Sequence, residues 1–132
     1  MSDPRRVLLV DDDADCREAL QMVLEASGYE VLSAGSAEEA LSMLAGRTVD
    51  IAVLDMMMEE NDSGAALAHR IRRVPGMAKA PIILVTAVAE KTGFRVPLAT
   101  EQEREWLGVD AWLDKPVSPE RLLAEVERLI DG

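Results

Sequence analysis

The sequence predicts an α/β fold in which a parallel sheet carries helices on both faces. Three short apolar runs, 7–10, 51–54 and 81–85, are continuous rather than alternating, which is typical of strands buried on both sides. Segments with apolar residues three and four positions apart separate these runs, which is typical of amphipathic helices. Strands that alternate with helices indicate right-handed crossovers and a doubly wound sheet.

Five strand-helix units account for the chain in order. The strands are predicted at 7–10, 30–34, 51–54, 81–85 and 109–113. The helices are predicted from Asp13 to Gly28, from Ser36 to Gly46, from Gly64 to Val74, from Thr100 to Gly108, and from Ser118 to about Ile130. The residues expected to face the sheet from the first, third and last helices are Leu20, Val23, Leu24, Ser27, Leu67, Ile71, Leu122, Leu123, Val126, Leu129 and Ile130.

Capping signals support the helix boundaries. Ser36 with Glu39, and Thr100 with Glu103, have the spacing of a capping box, in which each side chain bonds the backbone of the other residue. Pro119 suits the first helical position, where its missing N–H leaves no bond unmade. Asp is a preferred N-cap, so Asp13 is interpreted as the cap of the first helix rather than as a metal ligand.

Composition and charge indicate one small soluble domain. The chain has 132 residues, of which 48% are hydrophobic, and this suits one domain over residues 1–132. No apolar run approaches the ~20 residues of a membrane span, and charged residues closely follow Met1, so neither a span nor a secretory signal is expected. One cysteine cannot form an internal disulfide, which favours the cytoplasm. A net charge of −11 argues against direct contact with nucleic acid or anionic membranes.

Acidic, hydroxyl and lysine side chains stand at the ends of the predicted strands. Asp11 and Asp12 close the first apolar run, and Asp55 closes the third. Thr86 ends the fourth run, and Lys115 follows the fifth by two residues. In open α/β sheets the ligand crevice lies beyond the carboxyl ends of the strands. These side chains are therefore expected to converge.

The chemistry of that set favours a hard cation and a phosphoryl group. Two carboxylates about 4 Å apart repel by roughly 4 kcal/mol at an effective dielectric near 20, so three together need a cation or a proton. All three offer hard oxygen ligands, and the one histidine and the one cysteine lie elsewhere, which favours Mg²⁺ or Mn²⁺ over zinc. Lys115 and Thr86 add donors for phosphoryl oxygens. The set is suited to carrying phosphate on a carboxylate.

These residues resemble those of the receiver domain of two-component response regulators. The likeness covers the chain from residue 7 to about residue 130. It rests on Val-Asp-Asp at 10–12, Leu-Asp at 54–55, Thr-Ala at 86–87 and Lys-Pro at 115–116, each near the end of a predicted strand. The resemblance implies a flavodoxin-like (βα)5 fold, with a five-stranded parallel sheet in the order 2-1-3-4-5.

The resemblance also implies roles for individual residues. Asp55 would be the phosphoacceptor. Asp12 and Asp55 would bind Mg²⁺ together with the carbonyl oxygen of Met57, and Asp11 would be a second acidic support. Mg²⁺ is expected, and Mn²⁺ is an alternative with the same ligand preference.

A phosphorylation-controlled switch is implied as well. Thr86 and Lys115 would bind the phosphoryl oxygens, and the Lys115-Pro116 bond would be cis. Trp112 stands where the family carries a switch aromatic. Phosphorylation would then alter the face made by the fourth helix, the fifth strand and the fifth helix, and with it the affinity for a downstream protein.

The resemblance implies a stand-alone, chemotaxis-regulator-like signalling module. Its phosphoryl donor would be a sensor histidine kinase or a phosphotransfer protein. The chain would be no enzyme beyond catalysing its own phosphorylation and dephosphorylation.

The sequence departs from the family pattern in three places. Glu59 stands where the family usually has proline, and Gly64 comes one residue later than usual. The segment between Thr86 and Lys115 is several residues longer, which predicts an enlarged loop or a displaced start to the fourth helix. Trp112 replaces the usual Tyr or Phe.

Two other functions compete with this interpretation. In a phosphatase of the haloacid-dehalogenase type, Asp11 and Asp13 would form the first motif, and Asp110 with Asp114 would mimic the late acidic motif. Lys115 would then follow those acids instead of preceding them. The second alternative is a receiver-like scaffold that no longer accepts phosphate.

Three further features have simple structural interpretations. His69 is expected to be an exposed helical residue, since it lies between Ala68 and Arg70 within a predicted helix. Cys16 is expected to be a packed small residue. The methionines at 56–58 are expected to pack in a loop beside the site.

Overall fold

Five parallel strands form the sheet at the centre of the structure. The structure is a computed structural model that describes residues 5–55, 64–86, 110–114 and 117–131. The strands are β1 (Arg6–Val10), β2 (Glu30–Ala34), β3 (Ile51–Asp55), β4 (Ile82–Thr86) and β5 (Ala111–Asp114). Their order is β2-β1-β3-β4-β5, and every neighbouring pair is parallel. The flavodoxin-like order predicted from the sequence is confirmed.

The helices of the described residues lie between and after these strands. They are α1 (Ala14–Ala26), α2 (Ala37–Met43), α3 (Gly64–Arg72) and α4 (Pro119–Asp131). The name α4 therefore belongs here to the last helix of the chain. The helix predicted from Thr100 to Gly108, the enlarged loop after Thr86 and the Lys115-Pro116 bond lie outside the described residues.

Residue alternation along the strands divides the hydrophobic core into two layers. In β1, Leu8 and Val10 pack on the side of α2 and α3, whereas Val7 and Leu9 pack on the side of α1 and α4. The interior strands are buried on both sides because helices cover both faces. This burial explains why their sequences are continuous apolar runs.

The N-cap residues predicted for α1 and α2 are confirmed, and at α2 the described contacts include the Ser36 half of the predicted capping box. The Asp13 carboxylate accepts hydrogen bonds from the backbone N–H groups of Asp15 at 3.0 Å and Cys16 at 3.3 Å. The Ser36 hydroxyl accepts one from the N–H of Glu39 at 3.2 Å. These bonds satisfy N–H groups that have no partner within the helix. Asp13 is thus used as a cap, as predicted.

Some element boundaries and one buried residue differ from the sequence-based prediction. The helix α3 ends at Arg72 rather than at Val74, because the N–H of Val74 bonds the carbonyl of Ile71 in a tighter turn. The strand β5 begins at Ala111 rather than at residue 109. Ser27 was expected on the buried face of α1, but it is an exposed C-cap beyond the last helical residue.

Aspartates join the strands at the amino end of the sheet. The Asp50 carboxylate accepts a hydrogen bond from the backbone N–H of Arg6 at 2.7 Å, which ties β1 to the residue before β3. The Asp110 carboxylate accepts one from the N–H of Ile82 at 2.9 Å and lies 3.2 Å from Nη2 of Arg72. Arg72 also donates to the carbonyl of Ala80 at 2.6 Å. We call these contacts, made by Asp50 and Asp110, the amino-end network.

None of the helices among the described residues, α1 to α4, is long and apolar enough to cross a bilayer.

Candidate functional site

Strand register places two aspartates side by side at the carboxyl end of the sheet. Val10 of β1 is the register partner of Leu54 of β3, and an aspartate directly follows each of them. Asp11 and Asp55 continue the alternation that turns Val7, Leu9, Ile51 and Val53 toward α1 and α4. The carboxylates of Asp11 and Asp55 therefore lie close together, with exposures of only 2% and 4%.

Asp12 completes a cluster of three acids, as the sequence predicts. One carboxylate oxygen from each of Asp11, Asp12 and Asp55 lies within 4.8 Å of the other two. Asp11 and Asp55 are buried, whereas Asp12 is half-buried. We call these three residues the acidic site.

Hydrogen bonds with neighbouring described residues hold both the backbone and the side chain of Asp11. The Asp11 N–H donates to the carbonyl of Ala34 at the end of β2, at 3.1 Å. The Asp11 carboxylate accepts a hydrogen bond from the N–H of Asp13 at 2.9 Å. The backbone carbonyl oxygen of Asp11 accepts a hydrogen bond from Nη1 of Arg17 at 2.7 Å. The turn from β1 into α1 therefore positions the acids before any ligand binds.

The electrostatics of the acidic site favour a bound cation. At separations of up to 4.8 Å, each pair of carboxylates repels by at least about 3.5 kcal/mol at an effective dielectric near 20. Burial of two of the acids limits screening of that repulsion by water and salt. A divalent cation placed between the three oxygens would convert the repulsion into attraction.

The donor set fits Mg²⁺ or Mn²⁺. Its ligands are all carboxylate oxygens, which these hard cations prefer, and it contains no histidine or cysteine. Two oxygens bound to one octahedral Mg²⁺ are about 2.9–4.1 Å apart, so the 4.8 Å limit is close to the required spacing. Small side-chain rotations or bridging waters would complete the coordination.

The structure places the backbone of the remaining predicted residues only in part. Thr86 ends β4 and Asp114 ends β5, and the two are register partners at the carboxyl end of the sheet. Trp112 lies within β5 as the register partner of Leu84. Met57 and Lys115 lie outside the described residues. The roles predicted for these four residues therefore stay predictions.

Asp110 does not belong to the carboxyl end of the sheet. Its carboxylate contacts Ile82, the first residue of β4, and its own N–H donates to the Ile82 carbonyl at 2.8 Å. The phosphatase interpretation needed Asp110 near Asp11, so this position contradicts it. His69 is exposed on α3 as predicted, and Cys16 is half-buried against the α1 side of the core as predicted.

Arg17 is the contact residue that the sequence analysis missed. A signal was available, because Arg17 lies in the first turn of α1, where the helix dipole favours acidic over basic side chains. A basic residue at such a position suggests a specific contact nearby. Arg17 lies outside the strand ends, where the motif residues are found.

Comparison with known proteins decides the family. The family model described as the response regulator receiver domain matches residues 7–127. The chain belongs to this family. It is a receiver domain of two-component signal transduction, and the phosphoacceptor function predicted from its acids agrees with that family. Receiver domains are in general signalling modules rather than enzymes. The resemblance inferred from the sequence is confirmed.

Relatives of known sequence and structure agree with this assignment. The receiver is 34% identical over 126 residues to the transcriptional regulatory protein GltR of Pseudomonas aeruginosa, which covers 96% of this chain and 49% of that protein. It is 32% identical over 126 residues to the phosphate regulon transcriptional regulatory protein PhoB of the same organism, covering 96% and 52%. The chain thus spans about half the length of these curated relatives.

Solved structures show the same fold along nearly the whole chain. The chemotaxis protein CheY4 of Vibrio cholerae superposes with a TM-score of 0.82 at 28% identity, covering 96% of this receiver and 98% of that chain. Similarity at this level, together with the strand order, establishes the flavodoxin-like receiver fold.

Proposed function

We propose that Asp55 is the phosphoacceptor of this receiver. One observation carries the proposal: the Asp55 carboxylate ends β3, is 96% buried, and has an oxygen within 4.8 Å of oxygens of Asp11 and Asp12. A carboxylate in that position can attack a phosphoryl group whose charge is balanced by a cation held between the same acids.

The proposed reaction is a direct phosphoryl transfer. A carboxylate oxygen of Asp55 attacks the phosphorus of a phosphohistidine in line, the new O–P bond forms as the N–P bond breaks, and the released imidazole takes up a proton. Asp12, Asp55 and the Met57 carbonyl, with Asp11 beside them, would hold Mg²⁺ or Mn²⁺, which would supply positive charge to the phosphoryl oxygens. Lys115 and Thr86 donate to the same oxygens.

The proposal includes the partners and the location expected from the sequence. A sensor histidine kinase or a phosphotransfer protein donates the phosphoryl group. A downstream protein binds the face made by the helix predicted from Thr100 to Gly108, β5 and α4, and Trp112 takes part in the switch. With a net charge of −11, this domain makes no direct contact with nucleic acid. The module forms one domain over residues 1–132, acts in the cytoplasm, and catalyses only its own phosphorylation and dephosphorylation.

Chemical phosphorylation tests the proposal. Incubation with acetyl phosphate and MgCl₂ is expected to add one phosphoryl group, measured as the intact mass. The Asp55→Asn variant is expected to gain none, whereas Asp15→Asn, the same change at an exposed position of α1, is expected to label like the wild type.

The outcomes separate the competing functions. Labelling that persists in Asp55→Asn and disappears in Asp11→Asn would favour the phosphatase-type nucleophile. Absence of labelling in the folded wild type, with acetyl phosphate and with phosphoramidate, would favour the scaffold that no longer accepts phosphate.

A further inference from the structure

The guanidinium group of Arg17 lies at the turn that carries the acidic site. Its Nη1 donates to the carbonyl oxygen of Asp11 at 2.7 Å, and that carbonyl belongs to the peptide between Asp11 and Asp12. Among the described residues, Arg17 makes no ion pair with a carboxylate. Its charge is therefore directed at the backbone beside the acids rather than at an acid itself.

Gly35 provides the space that this contact needs. A Cβ atom at Gly35 would lie 3.0 Å from Nη1 and 3.7 Å from Cζ of Arg17. Gly35 does not have the positive φ found at Gly28, Gly46 and Gly76, so its backbone conformation is open to other residues. A side chain at Gly35 would therefore press on the guanidinium group and shift it by a few tenths of an ångström.

We propose that Arg17 is a positioning residue that fixes the Asp11–Asp12 peptide and thereby holds the Asp12 carboxylate toward the bound cation. The inference rests on the proposed function, since it assumes a divalent cation at the acidic site. Asp11 is already held through its N–H and its carboxylate. The contact from Arg17 adds a further anchor, at the Asp11 carbonyl in the peptide bond to Asp12. Asp12 is the most exposed of the three acids.

Replacement of Arg17 is expected to change the metal affinity in opposite directions, depending on whether Arg17 acts through its charge alone or by positioning Asp12. A nearby cation repels Mg²⁺, so loss of the Arg17 charge by itself would make the metal bind more tightly. Loss of an anchor that orients a ligand makes the metal bind more weakly, and contacts outside the ligand shell commonly contribute tenfold or more to metal affinity. The sign of the change in affinity therefore distinguishes the two.

The test is a titration of the full chain with Mn²⁺, followed by the electron paramagnetic resonance signal of the free ion, with Mg²⁺ as competitor. Arg17→Gln is expected to weaken Mn²⁺ binding by about tenfold. Arg17→Lys, which keeps the charge and one donor, is expected to recover part of that loss. Arg47→Gln, the same charge change at an exposed residue before β3, is expected to bind like the wild type.

Gly35→Ala tests the contact without changing any charge. It should displace the guanidinium and weaken Mn²⁺ binding about twofold to threefold in the wild type, but have no effect in the Arg17→Gln background. If Arg17→Gln folds poorly, Gly35→Ala and Arg17→Lys in the wild-type background still test the contact, since both are smaller changes.

Three outcomes would overturn the inference. Tighter Mn²⁺ binding in Arg17→Gln shows that charge alone acts, and equal binding shows that Arg17 does not orient the ligand. An equal effect of Gly35→Ala in both backgrounds shows that Arg17 is not the cause. Lower metal-free stability with unchanged Mn²⁺ affinity shows a purely structural role. A separate result would overturn the proposed function, and this inference with it. That result is either no Mn²⁺ binding to the wild type, or binding that Asp12→Asn does not abolish.

Discussion

The two ends of the sheet use aspartate in opposite ways. At the amino end, Asp50 and Asp110 each accept a hydrogen bond from a backbone N–H that begins a strand, and each lies near an arginine. At the carboxyl end, the acidic site brings three carboxylates within 4.8 Å of one another. The amino end is electrostatically satisfied within the protein, whereas the carboxyl end favours a cation from outside.

This difference shows that the neighbours of a carboxylate, rather than the residue type, decide its effect on stability. Hydrogen bonds to charged groups stabilise a fold by about 1.5–3 kcal/mol each, because the charged partner strengthens them. Crowded carboxylates destabilise the metal-free fold, and a ligand that relieves the repulsion stabilises it. The stabilising aspartate contacts therefore lie at the amino end of the sheet, and the candidate functional site lies at the carboxyl end.

Loss of Arg72 is expected to produce the largest change in stability. Arg72→Met removes donors to the Ala78 and Ala80 carbonyls and the ion pair with Asp110, which join α3 to β4 and β5. The free energy of unfolding in urea should fall by about 2–3 kcal/mol, with and without Mg²⁺. Arg73→Met, at the exposed neighbouring position, is the control. A loss that Mg²⁺ reverses would mean that the two ends are not independent.

A change at the acidic site is expected to have the opposite sign. Asp12→Asn removes one charge from the cluster, so the metal-free protein should gain about 1 kcal/mol in the free energy of unfolding. The same variant should lose most of the stabilisation that Mg²⁺ gives the wild type. Thermal unfolding with EDTA and with MgCl₂ measures both effects. A variant that is less stable than wild type in EDTA would refute the proposed repulsion.

The smallest effect is expected at an exposed ion pair of the amino end. Nε of Arg6 lies 3.1 Å from the Glu30 carboxylate, and the two side chains are 36% and 47% exposed. Because solvent and salt screen such pairs, Glu30→Gln should change the free energy of unfolding by less than about 0.5 kcal/mol. Urea unfolding at low and high NaCl provides the measurement. A loss above about 1 kcal/mol would show that this exposed pair is not screened as expected.

Local patterns in the sequence were sufficient to predict the sheet and the acidic site. Continuous apolar runs predicted the interior strands β1, β3 and β4, and the rule for the carboxyl ends of strands predicted that Asp11, Asp12 and Asp55 lie together. The amino-end network could not be predicted in the same way. The contact between Asp50 and Arg6 joins residues 44 positions apart, and it exists because of the register between β1 and β3. Sequence alone made Asp110 a candidate for the site, whereas the start of β5 places it at the other end of the sheet.

The alternation of side chains along the strands also determines which insertions and deletions the receiver tolerates. Side chains of β3 alternate between the two core layers, and Asp55 shares a side with Ile51 and Val53. Insertion or deletion of one residue within 51–54 would move the later side chains of β3 to the opposite core layer. The carboxylate at the strand end would then point toward α2 and α3. The length of β3 is therefore fixed to the residue, whereas added residues in connections away from the acidic site leave the alternation of β3 unchanged.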